Sequence, residues 1–125
     1  MIAHTTLHVS DLAKAKEFYS KALAPFGYHV KYEFPEWKAA GFMSGEGNTD
    51  FWVNGDGCGQ KTHVAFSASN EQQVQDFYKA ALEAGAKDNG APGYRTDYGA
   101  GYYAAFVLDP DGHNIEAMFW NAAKK

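Results

Sequence analysis

Cysteine is almost missing from this chain. Cys58 stands alone, so no internal disulfide forms and nothing points to an oxidising compartment. Arginine is just as scarce, with Arg95 its sole example. Eleven Lys and Arg face fifteen Asp and Glu, giving a net charge of −4 and a pI near 5.6. That balance argues against a nucleic-acid surface and against an anionic membrane as partner. No apolar run reaches membrane-spanning length, and Met1 leads into a strand pattern rather than a signal peptide, so the expected location is cytoplasmic. A phosphate loop is also lacking: Asn54 to Gln60, NGDGCGQ, is rich in glycine but has neither the spacing nor the Lys-Ser/Thr ending, and reads as a linker.

What the chain does have is aromatic residues, 16% of the total with eight Tyr and nine Phe, in 125 residues that make one domain with a sizeable core. Ile2 to Val9 alternates as a strand, with Ala3, Leu7 and Val9 on one face and His4, Thr6 and His8 on the other. Asp11 is placed to N-cap a helix carrying Leu12, Ala15, Phe18, Tyr19, Ala22 and Leu23, which Pro25 and Gly27 stop. Strands follow at about Tyr28 to Phe34, Trp37 to Met43 and Asp50 to Val53, the last after a turn at Gly45 to Asn48. Beyond the linker the pattern restarts. Thr62 to Ala68 reads as a strand, Ser69 with Gln72 as a capping box, and Val74, Phe77, Tyr78, Ala81 and Leu82 as the apolar stripe of a helix closed by Gly85.

The two halves register at an offset of 59 positions: His4 on His63, Ser10 on Ser69, Phe18-Tyr19 on Phe77-Tyr78 and Ala22-Leu23 on Ala81-Leu82. An internal repeat of one strand–helix–strands unit explains these six identities. The chain ends in FVLDPDGHNIEAMF, two strands joined by a turn at Asp109 to Gly112, with Glu116 on the face opposite Ile115, Ala117 and Phe119. Matching the last strand of each unit sets Phe51-Trp52-Val53 against Ile115-Glu116-Ala117. If the units pair about a pseudo-twofold axis, His4, His63, Trp52 and Glu116 converge. Two imidazoles and one carboxylate form a divalent-metal set.

The pieces HTTLHVSDLAKAKEFYSKALAPFGY, THVAFSASNEQQVQDFYKAALEAG and AFVLDPDGHNIEAMF, about half the chain, resemble the vicinal oxygen chelate superfamily of glyoxalase I, bleomycin-resistance proteins and extradiol dioxygenases. The resemblance implies an α+β fold of two paired βαβββ modules in one domain over residues 1–125, module 1 at about 1–56 and module 2 at about 61–121. It implies one divalent ion (zinc as isolated, with iron, nickel, cobalt or manganese as alternatives) held by His4, His63 and Glu116. Half-open sheets of this kind leave edges to cover, so a homodimer is expected. The function implied is metal-dependent chemistry on a small oxygen-chelating substrate, of lyase, isomerase or dioxygenase type. The competing class is a binding protein of the bleomycin-resistance type that sequesters a small molecule without turnover.

Departures from the relatives narrow this. Glyoxalase I places a glutamate where Trp52 appears here, and indole cannot ligate a cation, which disfavours lactoylglutathione lyase activity unless nearby Asp50 substitutes. The extradiol enzymes have a tyrosine where Phe106 stands and a histidine near Asp97, Tyr98 and Gly99. The segment Asp88 to Tyr103 reads as a long loop holding Arg95, Tyr94, Tyr98, Tyr102 and Tyr103. Arg95 is expected to clamp an anionic group, with Tyr94, Tyr98, Tyr102 and Trp52 lining the substrate. Glu116 is the expected catalytic carboxylate, and His8, sharing the face of His4, a proton carrier. His29 and His113 read as strand-surface and turn residues.

Overall fold

The computed structural model describes residues 1–124. Strand β1 (Thr5–His8) leads through helix α1 (Leu12–Ala22) to β2 (Tyr28–Phe34), β3 (Ala39–Ser44) and β4 (Thr49–Asn54). The second unit repeats this as β5 (His63–Ser67), α2 (Glu71–Glu83), β6 (Lys87–Tyr94), β7 (Tyr102–Leu108) and β8 (Asn114–Trp120). Each unit forms one mixed sheet, in the orders β1-β4-β3-β2 and β5-β8-β7-β6. In both, the outer strand pairs parallel to the last strand of its unit and the other pairings are antiparallel. This is the two-module α+β architecture expected from the repeat. β1 and β5 are hydrogen-bonded on one side only, so each sheet carries an open edge there.

Asp11 caps α1 as expected, accepting from the Lys14 amide at 3.1 Å. The cap of α2 is Asn70 rather than Ser69: its side chain accepts from the Gln73 amide at 2.8 Å, while Gln73 Oε1 accepts from the Ser69 amide. The capping box therefore exists one residue later than the sequence suggested. The first strand begins at Thr5, leaving Ile2 to His4 exposed before it. The third strand begins at Ala39, because Pro35–Trp37 closes a 3-10 turn and Lys38 adopts a left-handed conformation (φ 52°).

The largest difference lies in the supposed loop from Asp88 to Tyr103. Most of it is β6, whose sequence KDNGAPGY contains no β-branched residue. β6 is an edge strand with register shifts on either side of Gly90, which is where a sheet tolerates Pro92 and glycine. Only the stretch from Arg95 to Gly101 connects β6 to β7.

One apolar core joins the units. Tyr19, Phe42 and Phe51 of the first meet Phe66, Val74 and Phe77 of the second, and the Phe51 and Phe66 rings lie 5.2 Å apart, edge to face. The Asp109–Gly112 turn adds a polar seam. Its Gly112 takes the left-handed φ of 87° that such a turn requires. Asp111 accepts from Ser10 through both amide (3.1 Å) and hydroxyl (2.6 Å). His113, only 1% exposed, spans the units: Nδ1 accepts from the Thr62 amide at 2.9 Å, and Nε2 donates to the His8 carbonyl at 2.8 Å. The sequence reading of His113 as a turn residue missed this burial, since nothing local marks it.

Candidate functional site

Glu116 lies on β8, an inner strand between β5 and β7, and is 3% exposed. Its burial removes the alternative that an edge strand simply turns a carboxylate to water. Parallel pairing sets Ala65 opposite Glu116 and His63 opposite Asn114, so His63 leans along the sheet and its Nε2 reaches Glu116 Oε1 at 3.0 Å. His63 Nδ1 lies 3.0 Å from the Asn114 carbonyl, which can only accept, so Nδ1 carries a hydrogen. The contact between Nε2 and Oε1 then needs a proton between them. The other oxygen of Glu116 accepts from the Tyr102 hydroxyl on β7. Phe106 packs nearly parallel to the His63 ring, with centroids 6.3 Å apart.

Tyr102 is itself flanked edge-on by Tyr98 at 5.3 Å and Trp120 at 5.7 Å. Burial first, and then its hydrogen bond to Glu116, push its hydroxyl up to about 12. Because the folded value lies above the free tyrosine value near 10, the stabilising contribution is complete below pH ~10 and lost as pH rises towards ~12. Ultraviolet titration at alkaline pH should show a tyrosine ionising near 12 that disappears in Tyr102→Phe. If that variant removes a tyrosine titrating near the free value, the Tyr102–Glu116 bond does not persist in solution.

The structure does not bring His4 to this pair. His4 is exposed and lines a cavity of about 380 Å³ with Tyr28, Asp50, Phe51, Phe66 and Ser67, while His63 and Glu116 do not line it. Within one chain, then, the three-ligand set does not assemble. Among the described residues the only three His, Cys, Asp or Glu side chains whose ligand atoms cluster within 4.8 Å are Cys58, Asp111 and His113. This cluster is a possible ligand set, but its donors are engaged. Asp111 holds Ser10, and the His113 ring has Thr62 on one nitrogen and donates to His8 from the other. An ion there would have to break the seam between the units. His63 and Glu116 fit a metal better: the Asn114 carbonyl fixes the hydrogen on Nδ1 and leaves Nε2 to ligate beside a carboxylate.

Other sequence candidates fall out as follows. Trp52 pairs with Thr6 as Glu116 pairs with Ala65, so under the repeat Trp52 and Glu116 occupy equivalent places. Asp50 lies two positions earlier and accepts from the Tyr28 hydroxyl at 2.8 Å. His8 Nδ1 is 2.8 Å from exposed Asp56 of the linker, which ties up the expected proton carrier. Arg95 does not present a free fork. Nη1 donates to Gly93 and Nη2 to Ala91, at 2.9 and 2.7 Å, and the guanidinium sits over the Phe106 ring. Tyr94 is also engaged, donating to Glu71 and accepting from Asn121. Sequence reasoning missed Tyr32 and Phe34, which β2 carries on the same face as Trp52. Their spacing of two within a strand was the available signal.

The fold and site thus define a paired-module α+β protein in which a carboxylate on an inner strand meets a histidine on the neighbouring edge strand. The chain belongs to the Glyoxalase/Bleomycin resistance protein/Dioxygenase superfamily, whose family model matches residues 1–117. A glyoxalase/bleomycin resistance protein from Albidiferax ferrireducens T118 superposes with a TM-score of 0.77 at 24% identity, covering 94% of this chain and 96% of that one. Lactoylglutathione lyase from Agrobacterium tumefaciens gives 0.72 at 18% identity, over 95% and 92%. An E144Q mutant of glyoxalase I from Zea mays gives 0.63 at 22% identity, over 94% of this chain but 46% of that chain. Among curated proteins no match was found. No helix of the described residues is long and apolar enough to cross a membrane.

Proposed function

We propose that this protein binds a divalent metal ion through His63 and Glu116, with His4 supplied by a second copy of the chain, and acts on a small molecule that chelates through paired oxygens. The observation that carries this reading is the His63–Glu116 contact at 3.0 Å, with the imidazole hydrogen held on Nδ1 by Asn114. The open edges of β1 and β5 support the shared site. β5 carries His63, and His4 immediately precedes β1, so pairing these edges between copies about a twofold axis brings the two histidines towards each other. When bound, such an ion supplies Lewis acidity towards the oxygens of a ligand.

Residues of the chain itself do the rest. Asn114 orients His63, and Tyr102 anchors one oxygen of Glu116, so the carboxylate is held before any ligand arrives. Phe106 covers the imidazole face. Trp52 leaves the first module without a carboxylate at the place equivalent to Glu116. A proton transfer needing two carboxylates, as in lactoylglutathione lyase chemistry, is therefore disfavoured, and enzyme and sequestering protein both remain compatible with the site.

Plasma emission spectrometry tests the proposal. Protein equilibrated with zinc, nickel or iron(II) should carry about one ion per chain, and Glu116→Gln should lower occupancy at least ~10-fold by removing an anionic ligand. Wild-type protein that takes up none of the three metals would refute it.

A further inference from the structure

The aromatic rings of this protein meet in several ways. Several pairs in the core and around Glu116 meet edge-on, at 89° for Phe18–Tyr19, 78° for Phe51–Phe66, 89° for Tyr98–Tyr102 and 87° for Tyr102–Trp120. That is the arrangement ring quadrupoles favour when rings satisfy one another. Tyr32, Phe34 and Trp52 are arranged differently from all of these. Their planes lie within 10° of parallel, and their centroids form a triangle with sides of 6.0 to 6.2 Å. Three mutually equidistant parallel rings cannot be a pile, in which the outer two would be twice as far apart as neighbours. They are tiles laid side by side.

The backbone beneath accommodates the tiling. Tyr32 and Phe34 stand on β2, and Trp52 reaches them from β4 across β3. It crosses at Gly41, where an added Cβ would lie 2.9 Å from the indole. Only a residue without a side chain lets Trp52 lie flat there. Trp37, 65% exposed, stands at 47° to Phe34 with centroids 5.1 Å apart, forming a wall beside the floor. Tyr32 is 46% exposed, so the floor is reachable from outside.

We infer that the Trp52–Tyr32–Phe34 floor is a binding site for a planar aromatic ring system that lies flat on it against the Trp37 wall. The three faces lie nearly parallel, so a flat ligand uses all of them at once. The exposed ring faces carry the negative side of the quadrupole, so charge complementarity favours a neutral or electron-poor ring over an anionic one. The floor rests on ring geometry alone. Its place beside the metal rests on the two-copy reading above, in which Trp52, at the place equivalent to Glu116, faces the partner's cavity.

Calorimetric titration of metal-free protein with 2-naphthol and with its saturated counterpart decahydro-2-naphthol separates flatness from greasiness. We expect 2-naphthol to bind at least ~10-fold more tightly than the saturated alcohol. Trp52→Ala and the half-exposed Tyr32→Ala should each weaken 2-naphthol at least ~10-fold while thermal melting stays cooperative. Glu116→Gln, which removes the proposed metal ligand, should leave naphthol affinity unchanged, so failure of the metal reading and failure of the floor are told apart. Equal affinity for the two alcohols, or unchanged affinity in both floor variants, overturns the inference. So does a lack of binding combined with a Trp52→Ala change in sedimentation, which would make the face a contact between copies.

Discussion

Two metal-deficient variants should restore metal binding when mixed. His4→Ala and Glu116→Gln each remove one ligand from every site, so neither alone should hold an ion. If His4 of one copy completes the His63–Glu116 pair of the other, half of the dimers in a randomised equal mixture are hybrids with one intact site. Occupancy should then recover to about a quarter of an ion per chain. The geometry behind this is specific. His63 and Glu116 are in contact at 3.0 Å, while His4 lines a separate cavity with Asp50 and Ser67. Unfolding and refolding the mixture exchanges subunits, and spectrometry after desalting reads the result. No recovery, with both single variants folded and dimeric, would place the complete ligand set within one chain or leave His4 outside it.

The second large effect concerns stability. Asp109 is buried at the base of the β7–β8 turn and accepts three hydrogen bonds, from the Asp111 amide and the His113 amide at 2.9 Å each and from the hydroxyl of fully buried Tyr19. Asp109→Ala leaves all three donors unpaired in a place water does not reach. At ~1–3 kcal/mol for an unsatisfied buried donor, with partial relaxation, we expect a loss of about 3 kcal/mol or more. In a domain of this size that lowers the melting temperature by roughly 10 °C. Tyr19→Phe removes one partner of the three and should cost about 1–2 kcal/mol. Urea denaturation with an unchanged slope is the measurement. An Asp109→Ala loss below that of Tyr19→Phe would mean the turn reorganises and the network does not hold it.

The repeat explains how much of this molecule could be read in advance. His4 on His63 and Phe18-Tyr19 on Phe77-Tyr78 are strand and helix positions whose local periodicity survives without knowledge of contacts, so both βα units stood out. Matching the last strand of each unit by pattern placed Trp52 opposite Glu116, and the strand registers agree. β6 was invisible because a glycine- and proline-containing edge strand is held by its neighbour β7 and not by its own propensity. Arg95 was misjudged for a related reason. Its partners are the carbonyls of that same strand, which exist as a target only once the strand is recognised. Pairing of His63 with Glu116 was legible from the alternation of side chains, but the separation of His4 was not, because the packing of one module on the other is set by nonlocal contacts such as Phe51 on Phe66.

In the two-copy reading, the buried His113 ring also bears on how copies of this chain would add to one another. Of the four edge strands, β1, β2, β5 and β6, that reading uses β1 and β5, and joining one to the other is a head-to-tail contact. Such a contact closes into a ring only when the angle between the two edges on a chain returns the second copy to the first, and otherwise it propagates as a fibre. Besides the Phe51–Phe66 core contact, the imidazole that joins the His8 carbonyl to the Thr62 amide, where β1 ends and β5 begins, helps to hold that angle. A ring that ligates nothing in that reading thus takes part in deciding between a closed pair and an open polymer.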